Sequence, residues 1–139
     1  MIKLTIARQL KAAGLVWQPA LHDFFAIPDR DLDDQVFVLS DIQVTIEKMQ
    51  GIQMVSFQGA SEWALDSLVK EEAVWLPRED QLRQALEAAL LGAGRPEFRL
   101  RGGLDGYHLD YVYKGQSYTI HSEDVSQALA EGLLCVLSS

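Results

Sequence analysis

A chain of 139 residues, 48% hydrophobic and 23% charged, is long enough for one domain or two small subdomains and too apolar for disorder. Its net charge of −8 argues against nucleic-acid binding, because phosphate neutralisation needs clustered Lys and Arg, and the one modest basic cluster is Arg95, Arg99 and Arg101. A single cysteine, Cys135, excludes an internal disulfide framework; with no bilayer-length apolar run and no signal-peptide pattern after Met1, a cytoplasmic protein without membrane insertion is expected.

The first predicted element is a helix over 3–13, where Leu4, Ala7, Leu10 and Lys11 recur at helical spacing and Gly14 stands at the C-cap. Residues 15–19 are extended, since Pro19 pushes its predecessor out of the α region. Two antiparallel strands are expected at 24–28 and 35–39, joined by an acidic turn at 29–34. Ser40 or Asp41 can cap a helix to Gln50 with Ile42, Ile46 and Met49 on one face. A strand at 52–57 follows, then a helix capped by Ser61 that carries Trp63, Leu65, Leu68 and Val69. After a brief strand at 74–76, Leu82, Leu86, Ala89 and Leu90 define the clearest helix, over 78–91.

Residues 92–96, with Gly92, Gly94 and Pro96, read as a linker. Beyond it come strands at 97–101, 107–113 and 116–121, with Lys114 and Gly115 at a tight hairpin turn. A last helix buries Val125, Ala128, Leu129, Leu133 and Val136. The class is therefore α+β. Residues 1–91 form a mixed or antiparallel sheet with packed helices, and 95–139 form a three-strand antiparallel unit closed by one helix. The two parts are either subdomains or halves of one shared core.

No glycine-rich phosphate loop, nucleophile elbow, paired-cysteine motif or zinc-protease helix is present, so no catalytic site and no cofactor are expected. Cys135 lies in the apolar pattern of the last helix and reads as a buried packing residue. Asp29, Asp31 and Asp33 match the first ligands of a calcium-binding helix–loop–helix motif, but Asp34 stands where that loop needs glycine and Ser40 where it needs glutamate. Asp29, Asp31, Asp33 and Asp34 read instead as a solvated acidic patch able to steer a basic partner. Trp17, ahead of Pro19, can add to it an exposed aromatic patch with Phe24 and Phe25.

His108 and His121 are about equally far from the Lys114–Gly115 turn, so a hairpin brings them near each other. With Asp110 beside them they form a two-histidine, one-carboxylate cluster suited to a transition metal. A polar, solvent-facing sheet surface is the plainer reading of the same residues.

The segments Gly14-Leu15-Val16-Trp17-Gln18-Pro19, Asp23-Phe24-Phe25-Ala26-Ile27-Pro28, Glu62-Trp63-Ala64-Leu65-Asp66 and Trp75-Leu76-Pro77-Arg78-Glu79-Asp80-Gln81-Leu82-Arg83 resemble a family of uncharacterised bacterial proteins, some labelled as pilus-assembly proteins. The resemblance spans about 4–90 and implies a bacterial, non-catalytic accessory protein. Three functions follow in order of expectation. The first is an acidic protein–protein interaction module, binding another protein or itself. The second is a ligand-binding domain with its pocket near 92–96. The third is a small enzyme using His22, Asp23, His108 or His121.

Overall fold

A computed structural model describes residues 1–28, 32–39, 43–49, 52–58, 67–69 and 72–139, with the backbone alone at 32–35, 43–49, 52–58 and 67–69. Among the described residues the order is α1 (Leu4–Ala12), β1 (Phe24–Ile27), β2 (Leu32–Val38), β3 (Gln43–Met49), β4 (Ile52–Gln58), β5 (Ser67–Val69), β6 (Val74–Leu76), α2 (Glu79–Gly92), β7 (Phe98–Gly103), β8 (Gly106–Tyr113), β9 (Gln116–Ser122) and α3 (Val125–Leu137). The class is α+β, as expected. The chain divides into two compact units, Met1–Val16 with Leu76–Ser139, and Trp17–Trp75.

In the first unit the apolar spacing of each helix becomes its buried face. Ile6, Ala7 and Leu10 are buried in α1, and Leu82, Leu86 and Leu90 in α2. Helix α2 begins where the Arg78 backbone N–H donates to Gln81 Oε1 at 2.9 Å, and Glu79 and Asp80 in its first turn suit the helix dipole. Strands β7, β8 and β9 make an antiparallel sheet with β8 central. The β8–β9 turn has Lys114 and Gly115 both at positive φ, 50° and 81°, the geometry of a two-residue hairpin loop. In β8, Leu109 and Tyr111 are buried, and α3 packs on this sheet as well as on α1 and α2.

Contact between α3 and the sheet is close because Gly132 has no side chain. A Cβ there would lie 2.5 Å from Leu109 Cδ2 and 3.4 Å from a ring carbon of Tyr111. The Tyr111 hydroxyl donates to the Gly132 carbonyl at 3.1 Å, and burial, with Cys135 and Tyr118 alongside, pushes its phenol above the ordinary range, so it stays protonated. Cys135, expected in the core, is exposed, because Leu133 and Val136 take the buried positions of that turn.

Of the two expected arrangements, separate subdomains or one shared core, the units do not part at 92–96: α2 and α3, on either side of that segment, pack on each other within one unit. The loop joins parts of one core, and the segment between α1 and α2 forms the other unit.

In the second unit, β1 lies between β2 and β6, and β4 lies between β3 and β5. The expected β1–β2 pairing is present, with Phe24 opposite Val38 and Phe25 opposite Phe37. Strand β2 starts at Leu32, so Asp33 and Asp34 belong to a strand rather than to a turn. The helix expected up to Gln50 is strand β3, paired in register with β4 from Gln43–Gln58 to Met49–Ile52. Val44, Thr45 and Ile46 are consecutive β-branched residues, which favour a strand; the spacing of Ile42, Ile46 and Met49 mimicked a helical face over too short a window. The helix expected after Ser61 likewise meets strand β5 at Ser67–Val69, antiparallel to β4; residues 61–66 lie outside the described residues. Trp17, Phe25, Ile27, Leu39 and Ala73 form a buried core, with Phe37 and Trp75 half-buried against it.

Gly132 offers a direct test of the α3–sheet contact. Gly132→Ala gains about 1 kcal/mol of helix propensity and loses about 1–3 kcal/mol to overpacking, so it should be neutral to mildly destabilising. Gly132→Val gains less and clashes more, and should lower the denaturant midpoint clearly below that of the Ala variant. A Val variant as stable as the native chain would show that α3 does not seat on Leu109 in this way.

Candidate functional site

Alternation along β8 sends Leu109 and Tyr111 towards α3 and His108 and Asp110 to the outer face. Pairing then assembles two rows across the sheet. Arg101, His108 and His121 are directly opposed in one, and Arg99, Asp110 and Thr119 in the next. The His108 and His121 rings lie 4.6 Å apart between centroids, tilted by 44°. The hairpin therefore brings together the two histidines that the sequence placed symmetrically about its turn.

The carboxyl group that joins them is Asp105, not Asp110. Asp105 sits in the two-residue connection between β7 and β8, with Oδ2 3.8 Å from His108 Nε2 and its backbone carbonyl 2.7 Å from His121 Nε2. Ligand-capable atoms of Asp105, His108 and His121 all lie within 4.8 Å of one another. Asp110 is one row further along, and its carboxylate is already engaged. It accepts from Arg101 Nε at 2.9 Å and from the Thr119 hydroxyl at 2.8 Å. Those two hydrogen bonds, Arg101 first, hold its pKa below the ordinary carboxylate value.

Gly106 permits the approach of Asp105 to the histidines. Its φ is +108°, and a Cβ there would lie 2.8 Å from the Ser122 carbonyl and 3.4 Å from His121 Nε2. The Asp-Gly pair at this turn was the sequence signal for Asp105, since a turn residue can fold back over the ends of both flanking strands.

The other expected site residues lie in the second unit. Trp17 is buried and packs against Phe25, with centroids 5.4 Å apart and the rings tilted by 31°, so it offers no exposed aromatic patch; Phe25 is buried and Phe24 half-buried. Asp23 explains this. Its carboxyl group, 1% exposed, accepts from Trp17 Nε1 at 2.9 Å and from the Ala20 N–H at 3.0 Å, drawing the indole inward. Asp23 thus has a structural role, and the neighbouring His22 is exposed at φ 73°. Asp29 and Asp31 lie outside the described residues. After Asp33 and Asp34 in β2, Val36 and Val38 are 50% and 41% exposed while Phe37 turns to the core. The apolar run of residues 35–39 gives a strand but does not tell which of its faces is covered, so the exposure of these valines was not legible.

An open groove of about 490 Å³ runs beside Arg95, Phe98, Arg99, Tyr118 and Thr119, within the first unit. Among the described residues, no helix is long and apolar enough to cross a membrane. The chain matches no protein-family model, no curated protein and no solved structure.

Two outcomes check this geometry. Arg101→Gln removes the main cause of the lowered Asp110 pKa, so the carboxyl resonance should titrate nearer its ordinary value. A depressed folded pKa stabilises above the unfolded value and loses that contribution as pH falls through the folded one; the variant should therefore lose slightly less stability on acidification. An unchanged Asp110 titration would contradict the assignment. Asp23→Ala orphans the buried indole N–H of Trp17, which costs about 1–3 kcal/mol, while water can take up the exposed Ala20 N–H, and equilibrium unfolding should show a loss in that range; a change under about 0.5 kcal/mol would mean that the indole does not depend on Asp23.

Proposed function

We propose that this chain is a non-catalytic accessory protein that acts as an acidic protein–protein interaction module and docks an extended, basic segment of its partner along β2. The observation that carries this reading is the strand itself. It holds Asp33 and Asp34, exposes Val36 and Val38, and among the described residues has no strand beside it other than β1. An edge strand offers a row of backbone donors and acceptors to an added strand, and outward valines give that strand an apolar footing. The acidic residues at 29, 31, 33 and 34, in a chain of net charge −8, select a cationic partner and speed its encounter. A cytoplasmic setting suits the single free cysteine.

The test compares three tag-captured proteins in native lysate at low and high salt, with mass spectrometry of what is retained. They are the native chain, Asp33→Asn with Asp34→Asn, and Val36→Lys with Val38→Lys. A basic protein held by the native chain at low salt, released by high salt and lost from both variants supports docking on β2. Retention indifferent to salt and to both variants overturns it, as does the absence of any retained protein at low salt.

A further inference from the structure

We infer that the outer face of the β7–β8–β9 sheet binds one divalent transition-metal ion through Asp105, His108 and His121. This is independent of docking on β2. Two imidazoles and one carboxylate match zinc, nickel and copper; calcium or magnesium would require more oxygen donors.

The three groups come from elements that fix them differently. His108 and His121 are held opposite each other by strand register, and Asp105 by the short β7–β8 turn that Gly106 makes possible. An ion with bonds of about 2.0–2.2 Å places tetrahedral donors about 3.4 Å apart. The donors lie within 4.8 Å of one another, and Asp105, whose side chain is 73% exposed, is free of packing that would stop it turning towards an ion. The backbone also orients one ligand. When His121 Nε2 donates to the Asp105 carbonyl, the lone pair is left on Nδ1, and such a bond fixes ring and tautomer in the way that outer-sphere partners do at metal sites. The nearby Arg101 cation opposes an ion, but its guanidinium is paired with Asp110, which offsets that charge. Because the face is open, water completes the coordination, and protons compete for the imidazoles, so acidification releases the ion.

The full chain, freed of any affinity tag, is titrated with Zn²⁺ by calorimetry, with Mg²⁺ as the hard-cation control, while imidazole and backbone resonances are followed by NMR. One zinc per chain is expected, with shifts centred on 105–108 and 119–122, and no response to Mg²⁺. His108→Ala and His121→Ala should each weaken zinc binding by more than about tenfold, and Asp105→Asn should weaken it more than Asp110→Asn does. His22→Ala should leave it unchanged. If a histidine variant fails to fold, the resonance map of the native chain and the Asp105→Asn comparison decide. No heat or shift with Zn²⁺, Ni²⁺ or Cu²⁺ overturns the inference. So does an affinity unaltered by His121→Ala, or a response centred on His22.

Discussion

Leu109 seated against the bare backbone of Gly132 is the contact on which the C-terminal architecture depends. Because no Cβ stands at 132, α3 lies close enough for the Tyr111 hydroxyl to reach the Gly132 carbonyl. That seat chooses which side of β8 is buried. A one-residue slip in a strand would exchange its two faces, so a fully buried Leu109 also dictates that His108 and Asp110 point outward. The histidine pair is in this sense a consequence of core packing on the opposite face.

A buried polar anchor plays the comparable part in the other unit. Asp23 takes the indole N–H of Trp17 and the N–H of Ala20, so an aromatic residue in an irregular segment joins the core with Phe25. Phe25 in turn lies 5.4 Å from Phe37 across the β1–β2 pair, which commits Phe37 inward and leaves Val36 and Val38 outward. An exposed apolar pair beside acidic residues is unusual on a strand that has its own core to serve, and it is the feature on which the proposed docking along β2 rests.

Elements with a long periodic pattern were legible. Helices α1, α2 and α3 each show several turns of consistent spacing, and the C-terminal strands are punctuated by the dipeptides Asp105-Gly106 and Lys114-Gly115, which favour tight turns. Strands β3 and β5 were not legible, because Ile42, Ile46 and Met49 around the one, and Leu65, Leu68 and Val69 around the other, repeat at helical spacing over a window too short to separate strand from helix. Pairing with β4 decided them. The same limit applied to Cys135, where one helical position separates a buried residue from an exposed one.

By itself the sequence determined the α+β class, the acidic character, the want of a catalytic motif and the approach of His108 to His121, since equal distance from a two-residue turn dictates cross-strand pairing whatever surrounds the hairpin. Only the tertiary structure decided that Asp105 replaces Asp110 beside them, that Trp17 is core, and that the units divide before Trp17 and after Trp75 rather than at the glycine-rich segment. Each of these turns on contacts between residues distant in the chain or folded back by a turn. Such contacts follow from burial and register, and local spacing does not encode them.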